Sequence, residues 1–187
     1  GRTEVDLGPG GKMSAGDNSC IVLGPEVGEK PEVQQIVKAF EDSFNEKMRI
    51  YEKEQAAKTA AKAMETSPDR YLGMELCVRC HVEQADQWKT TKHAHAWETL
   101  VREKKDATPD CIPCHVAGYK QPGGFLTGTD TPAMVNVQCE NCHGMGTQHD
   151  SYPKTPASVK EATCKRCHQG ENDPAWNFAT KLPKVIH

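Results

Sequence analysis

The strongest constraint on this chain is a pentapeptide, Cys-x-x-Cys-His, that occurs four times in its second half. Two cysteines three positions apart lie on one side of a helical turn, so both sulfurs can reach the same small molecule. The histidine that follows directs its imidazole ring towards the same place. This pattern is typical of thioether attachment to the vinyl groups of a haem, with the histidine as an axial ligand of the iron. We therefore predict four covalently bound haem c groups.

The motifs are numbered first to fourth in chain order. Their predicted attachment residues are Cys77, Cys80, Cys111, Cys114, Cys139, Cys142, Cys164 and Cys167, and their predicted iron ligands are His81, His115, His143 and His168. Zinc ribbons also use Cys-x-x-Cys pairs, but they do not require a histidine after every second cysteine. Histidine is 8 of 187 residues, so chance would rarely place it there four times. A thioredoxin-like redox pair fails for the same reason.

Composition limits the possible partners and the cellular location. A hydrophobic content of 36% with 6% aromatic residues is low for a core made of side chains alone, and haems would supply the missing apolar surface. The net charge of −3 gives no basic field for nucleic acid. No apolar run is long enough to span a bilayer. Haem attachment happens outside the cytoplasmic membrane, so we predict a periplasmic or extracellular protein that lost a targeting segment or was cut from a longer precursor.

All histidines and all cysteines except Cys20 lie after Ser67-Pro68-Asp69, a turn signal that divides the chain in two. We predict an N-terminal arm with a long helix at 1–70 and a small tetrahaem cytochrome c domain at 71–187, in a fold that is mainly α with much irregular loop. Little β-structure is expected, and residues 8–11 are expected to be irregular. Cys20, the ninth cysteine, is either a buried free thiol, which we favour, or part of an intermolecular bridge.

A long helix is predicted from Pro31 to a point before Pro68, roughly 50 Å for about 35 residues. Its apolar stripe comprises Val33, Val37, Phe40, Phe44, Met48 and Tyr51. The stripe packs either on the haem domain, which we favour, or on a neighbouring subunit. Shorter helices are expected at 82–89 and 94–104, and a strand or extended arm at 20–23.

Four histidines remain outside the motifs, one for each predicted haem: His93, His95, His149 and His187. Two histidine ligands would close both axial positions of an iron and leave no site for a substrate. His93 and His95 are two residues apart and face different directions on a helix, so at most one of them serves a given haem. The alternatives are a surface position for His149, a frayed terminus at His187, and methionine as an axial ligand.

Four segments carry a resemblance to the tetrahaem cytochrome c554 family over residues 71–187: Tyr71–Gly73, Trp88–Ala96 with its Trp-x-x-x-x-His-Ala-x-Ala pattern, Cys114–Phe125 and Val137–Gly144. The resemblance implies the axial pairs His81 with His149, His143 with His187, and His168 with His93. It also implies a five-coordinate iron at His115. His95 lies outside the family pattern and is the spare residue for that iron, from the same chain or from a neighbour. Residues 1–70 are similar, through the segment Val22–Val27 and the helix after it, to the tail that follows a calcineurin-like phosphoesterase domain in fusion proteins.

We predict an electron-transfer protein with no catalytic residue, acting on redox partner proteins or extracellular acceptors. One form would be a soluble periplasmic shuttle. Another would be a subunit of an extracellular filament, a homopolymer with haems stacked across subunits, because head-to-tail contacts give open polymers. An alternative is an enzyme for a nitrogen oxide at an open His115 haem, with Tyr119 and Asp110 as the nearest acid or base groups. A structural or haem-storage module is a further alternative.

Overall fold

The computed structural model describes residues 2–20, 24, 27–147, 149 and 159–187. The chain forms two compact units, Gly1–Glu41 and Asp42–His187. Most of the described residues lie in helices or irregular loops, which confirms the predicted mainly α fold. No helix within these ranges is long and apolar enough to cross a bilayer. The predicted domain boundary near residue 70 stays a prediction.

The first unit contains an antiparallel hairpin of strands β1 (Arg2–Leu7) and β2 (Met13–Ser19). Gly10 and Gly11 in the connecting turn have φ of 81° and 76°, a conformation that glycine adopts without a Cβ clash. The expectation of irregular structure at residues 8–11 is therefore confirmed, whereas the two strands that flank this turn were not expected. The sequence Met-Ser-Ala-Gly-Asp-Asn-Ser of β2 lacks the alternating β-branched residues that indicate a strand.

Cys20 follows β2, and its side chain is exposed. The expectation of a buried thiol is therefore wrong. The rest of the apolar run predicted as a strand or arm, residues 21–23, lies outside the described residues. So do residues 22, 23, 25 and 26 of the segment that resembles a phosphoesterase tail.

The predicted long helix is confirmed as α1 (Pro31–Met64), 34 residues long. Proline is at its first position, where the missing N–H costs no intrahelical hydrogen bond. Beyond its end, the Ser67 N–H donates to the Ala63 carbonyl at 3.2 Å. The chain then turns before Pro68, which cannot continue a helix.

Within the second unit, α1 contacts the loops through a polar face. Arg49 forms a bidentate salt bridge with the Asp106 carboxylate at 2.9–3.2 Å. Glu52, on the same helix, is buried. In contrast, the stripe residues Phe44 and Tyr51 are 47% and 54% exposed. The packing of α1 on this domain is confirmed for the residues of this unit, but the expectation that the apolar stripe makes the contact is wrong. Polar side chains can align on one helix face just as apolar side chains do, so a helix can pack through either face.

Short helices joined by loops make up the rest of the second unit. The α-helices are α2 (Met74–Cys77), α3 (Val82–Lys89), α4 (Ala96–Arg102), α5 (Cys139–His143), α6 (Glu161–Cys164) and α7 (Phe178–Lys181). The 3₁₀ turns are Lys92–His95, Ile112–Cys114, Pro132–Met134, Gly170–Asn172 and Leu182–Lys184. The helix expected at 82–89 is confirmed as α3, and the one expected at 94–104 is confirmed as the slightly shorter α4, which a 3₁₀ turn precedes.

The apolar core of this unit surrounds the second motif. Its buried members are Leu100, Ile112, Val116, Ala117, Phe125 and Met134. The Ala117 N–H donates to the Met134 carbonyl at 2.8 Å, and Phe125 N–H donates to the Ala117 carbonyl at 3.0 Å. These bonds fold the chain after the motif back on itself, so Cys111 is packed against the core while its neighbour Ile112 is inside it.

Candidate haem-binding sites

Each motif folds as a single turn that brings its cysteines and histidine together. In the first motif, the Cys77 carbonyl accepts from both Cys80 N–H at 3.2 Å and His81 N–H at 3.0 Å. The fourth motif repeats this pattern, with Cys164 accepting from Cys167 and His168. The second motif is a 3₁₀ turn, and the third lies in α5. The predicted helical arrangement is therefore present at all four sites.

The third motif supplies a buried carboxylate from its variable positions. Glu140 is 3% exposed and accepts hydrogen bonds from the backbone N–H groups of Leu72, Gly73 and Gly146 at 2.8–3.1 Å. A buried charge is tolerated when several donors face it. Glu140 thereby joins the chain before the first motif to the chain after the third.

Two amides beside Glu140 extend this network. The Gln138 side chain accepts from Met74 N–H at 2.8 Å and donates to the carbonyls of Ala133 and Val135. Asn141 donates to the Val116 carbonyl at 2.9 Å, next to the second motif. The third motif is therefore connected by hydrogen bonds to the first and second motifs.

The fourth motif is joined to the third at the surface. Arg166, between its two cysteines, donates through its guanidinium to the Asn141 carbonyl. His168 has a carboxylate partner in its own segment, with Nδ1 2.9 Å from Oδ2 of Asp173. On the other side, the Trp176 ring stacks on the His168 imidazole with a centroid separation of 4.4 Å.

Three pairs of histidine rings face each other across long stretches of sequence. Ring centroids are 6.0 Å apart for His81 and His149, 6.0 Å for His93 and His168, and 5.9 Å for His143 and His187. The rings are too far apart to touch. A metal ion between them, bonded at about 2 Å to one nitrogen of each ring, fits a separation of this size.

Two of these histidines, His93 and His143, lie in environments that favour the neutral imidazole, which is the form that binds a metal. Burial, and then the nearby charge of His168, lowers the pKa of His93. Burial also lowers the pKa of His143, with smaller contributions from His187 and His81.

The first motif borders a cleft of about 340 Å³ that opens between two of the paired histidines. Its lining combines both cysteines of the motif with apolar side chains and the paired imidazoles: Leu72, Leu76, Cys77, Cys80, His81, Glu140, Gly146 and His149. Thiols, two facing imidazoles and leucine walls are the donor set and the surface that an attached haem requires. The residues present therefore fit the group.

His115 has a different environment from the other motif histidines. Its Nδ1 donates to the Ala96 carbonyl, which turns Nε2 away from that backbone and fixes the ring orientation. No second histidine ring faces His115 among the described residues. His95 instead has a side chain that is 59% exposed, with Nδ1 3.2 Å from a Glu98 carboxylate oxygen. The structure thus brings three of the predicted pairs together and does not bring His95 to His115.

Cysteines from different motifs contact each other in pairs. The Cys77 thiol donates to Cys139, which raises the pKa of Cys77 and lowers that of Cys139 to about 7. In the same way, a hydrogen bond from Cys167 lowers the pKa of Cys114 to about 7. These contacts place the first motif beside the third, and the second beside the fourth.

A third proximity links those two halves. Burial, followed by the nearby Cys164, raises the pKa of Cys142, so the third motif also lies beside the fourth. No group of three or more His, Cys, Asp or Glu side chains in the described part of the chain has a metal-binding arrangement. The thiols therefore meet in pairs, not in the groups of four that a zinc ribbon uses.

Sequence reasoning missed the residues that orient the site. Gln138 and Glu140 lie in a segment that resembles the family, but their roles depend on contacts with distant segments, and Asp173 and Trp176 lie outside every motif. The one available signal was chemical: polar residues at the variable positions of the third motif, in a region poor in apolar side chains.

The attachment turns and facing histidines define a multihaem c-type cytochrome. Residues 76–144 match the family described as cytochrome c554 and c-prime. Cytochrome c-554 of Nitrosomonas europaea is 37% identical over 145 residues, which are 58% of this chain and 62% of that protein. The family resemblance predicted from the sequence is confirmed for this part of the chain, and the four attachment motifs bind haem c covalently.

One solved structure is also similar, the reduced state of cytochrome c554 from Nitrosomonas europaea. It shares 23% sequence identity with a TM-score of 0.44, over 64% of this chain and 79% of that one. The chain spans about 62% of the length of the curated relative.

Proposed function

We propose that this protein carries electrons through four haems, three of which have histidine on both faces of the iron. The observation that carries the proposal is the set of three histidine pairs separated by 5.9–6.0 Å. Bound haem c supplies reversible one-electron chemistry at iron. Two imidazoles at one iron leave no position for a substrate, so such sites exchange electrons without forming or breaking bonds.

The proposed ligand pairs are His81 with His149, His168 with His93, and His143 with His187. In this scheme the backbone sets the first member of each pair through its motif turn, and a distant segment supplies the second. His93 is positioned because its carbonyl accepts from Val137 N–H at 3.1 Å. That bond ties the 3₁₀ turn carrying His93 to the approach of the third motif.

The cysteine contacts support an order for the electron path. The first motif lies beside the third, the third beside the fourth, and the fourth beside the second. Attached groups therefore follow the order first, third, fourth, second. The two ends of this path are the sites where electrons would enter and leave the protein.

Removing one distal histidine tests the proposal directly. We expect His93→Ala in the four-haem protein to convert about a quarter of the ferric haem from low-spin to high-spin, as seen by optical and electron paramagnetic resonance spectra, because one of four irons loses a ligand. Lys92→Ala, the exposed neighbouring position, is the matched control. Electron exchange is measured by stopped-flow reoxidation of the reduced protein with a soluble c-type cytochrome. A fully low-spin His93→Ala protein, or no electron exchange in the unaltered protein, contradicts the proposal.

The second candidate function is binding of a small nitrogen oxide at the His115 iron. It is favoured by the absence of a facing histidine ring at His115 in the described ranges. A high-spin ferric signal from one haem, with rapid cyanide binding at that haem, would support it. If His95 of a neighbouring chain is the ligand instead, the high-spin fraction falls as protein concentration rises, and His95→Ala abolishes that dependence.

We also propose export, and self-association of the kind a filament needs. Apolar side chains on the first half of α1, including Val33, Ile36 and Val37, are about half or more exposed, which favours contact with another apolar surface. Ile36→Glu should lower the molar mass measured by light scattering, whereas the charge change Lys38→Glu on the same helix should not. A monomer at every concentration, in every variant, would contradict self-association.

A further inference from the structure

The four motif histidines differ in what their Nδ1 atoms face. His115 donates to a neutral backbone carbonyl, that of Ala96. His168 instead lies 2.9 Å from an Asp173 carboxylate oxygen, and this is the sole carboxylate contact to a motif histidine among the described residues. A carboxylate behind a metal-binding imidazole is a stronger acceptor than a carbonyl, because the hydrogen bond is assisted by charge.

A tight turn delivers this carboxylate. After His168, Gly170 adopts a left-handed φ of 55° and starts the 3₁₀ turn Gly170–Asn172, and Asp173 directly follows that turn. The Trp176 N–H then donates to the Asp173 carbonyl at 3.1 Å. The chain therefore doubles back within five residues and sets the Asp173 side chain beside His168.

Trp176 stacks on the histidine of this contact, and both partners of the contact are partly buried. Its ring stacks on His168 at an interplanar angle of 20°, and the Asp173 side chain is 21% exposed. Partial burial lowers the local dielectric and strengthens the interaction between the carboxylate and the imidazole. The buried Trp176 Nε1 has no hydrogen-bond partner among the described residues, so the ring is held by stacking and not by a polar contact.

This hydrogen bond would affect the balance between the ferric and ferrous states of the iron that His168 binds. A hydrogen bond to a carboxylate raises the basicity of the ligating imidazole nitrogen and fixes the ring orientation. A more basic ligand stabilises the more positively charged, ferric state over the ferrous state. One electron is gained or lost at the iron, the proton stays on His168 Nδ1, and no bond forms or breaks.

We propose that Asp173 is a positioning residue that lowers the reduction potential of the haem attached at the fourth motif. The inference rests on the proposed electron-transfer function and adds which residue of the chain sets the potential of one of the four haems. In the proposed order of motifs this haem lies inside the path, between the third and the second. A low-potential site there would divide the path into two halves that fill with electrons separately.

The test compares three variants of the four-haem protein. Asp173→Asn keeps the shape and removes the charge, Asp173→Glu keeps the charge, and Glu171→Gln removes an exposed carboxylate from the same turn. Potentials are measured by spectroelectrochemistry with mediators, and the affected haem is identified from the shifted signals of His168 in ¹⁵N-histidine-labelled protein. We expect Asp173→Asn to favour the reduced form of that haem by about tenfold, about 59 mV for a one-electron couple.

The proposal also predicts that Asp173→Glu recovers most of the original potential and that Glu171→Gln leaves it near the unaltered value. It is overturned if Asp173→Asn shifts the potential no further than Glu171→Gln, if the shift is in another haem, or if Asp173→Glu does not reverse it. Because mediators equilibrate every haem without a physiological partner, these results do not depend on the electron-exchange rates that test the proposed function. Failure of one is therefore distinguishable from failure of the other.

Discussion

The second and third motifs differ from the first and fourth in how the polypeptide holds them. The second and third motifs, called the inner motifs here, contain buried residues: Ile112 in the apolar core and Glu140 in the polar network. The first and fourth motifs are called the outer motifs. The helices that open the outer pair, α2 and α6, have no buried residue. The inner motifs are therefore part of a packed protein interior, whereas the outer motifs are attached to it by a few hydrogen bonds. The difference indicates that bound haem contributes most to order at the outer sites.

The largest expected effect is at the hydrogen-bond centre that joins an outer motif to an inner one. Glu140→Ala leaves three backbone N–H groups without their acceptor, so we expect a loss of about 3–5 kcal/mol in unfolding free energy. Guanidinium unfolding of the four-haem protein measures it. Glu75→Ala, an exposed carboxylate on α2, is the control and should change little. Equal losses in both variants would show that the buried carboxylate does not hold the first motif.

The next largest effect concerns the loop that closes over the second motif. A Cβ at Gly124 would overlap the carbonyl group of Gly118, so we expect Gly124→Ala to cost about 2–3 kcal/mol through overpacking. Gly28→Ala, where a Cβ meets no atom within 4 Å, is the matched control. Urea unfolding monitored by tryptophan fluorescence gives both values. A Gly124→Ala protein as stable as the control would mean that the inner motif tolerates backbone movement.

A smaller effect is expected where α1 meets the segment after the second motif. Tyr119 donates to the buried carboxylate of Glu52, and Lys120 pairs with the same carboxylate at 3.0 Å. Tyr119→Phe removes that hydrogen bond and should cost about 1 kcal/mol below pH 9. Phe44→Leu, on the exposed stripe of the same helix, should cost less if the polar face makes the contact.

The same tyrosine makes stability depend on alkaline pH. Burial, and then the hydrogen bond to Glu52, raises the pKa of Tyr119 to about 12 from its ordinary 10.0. Between those values the unfolded chain releases the tyrosine proton first, so the stabilisation present below pH 10 is lost as the pH rises towards 12. Urea unfolding at pH 9 and pH 11 should show a larger fall for the unaltered protein than for Tyr119→Phe. Equal falls would exclude Tyr119 as the cause.

The smallest effect is expected at the outer fourth motif. Arg166 is an exposed residue whose guanidinium reaches the Asn141 carbonyl, and exposed contacts of this kind contribute little. We expect Arg166→Lys to change the unfolding free energy by no more than about 0.5 kcal/mol. A loss as large as that of Glu140→Ala, in the same guanidinium experiment, would remove the distinction between inner and outer motifs.

Local sequence signals predicted α1 and α3 well, because proline at a first helical position and apolar spacing act within a few residues. The attachment motifs were as clear, since the chemistry needs fixed spacing. The packing face of α1 was not predictable, because it depends on loop partners such as Asp106 that lie 57 residues away. The same holds for Glu140: nothing in the residues around a haem motif shows that distant N–H groups will point at one of its side chains.

The contacts between cysteines of different motifs have a consequence for biogenesis. Hydrogen bonds from Cys77 and Cys167 lower the pKa of Cys139 and Cys114 to about 7, so in a chain without haem these two thiols ionise more readily than ordinary cysteines. In an oxidising compartment, folding before haem attachment would favour Cys77–Cys139 and Cys114–Cys167 disulfides, which block both haem sites of each pair. Haem attachment must therefore precede folding of the chain. A thiol reductant during expression should raise the yield of fully loaded protein.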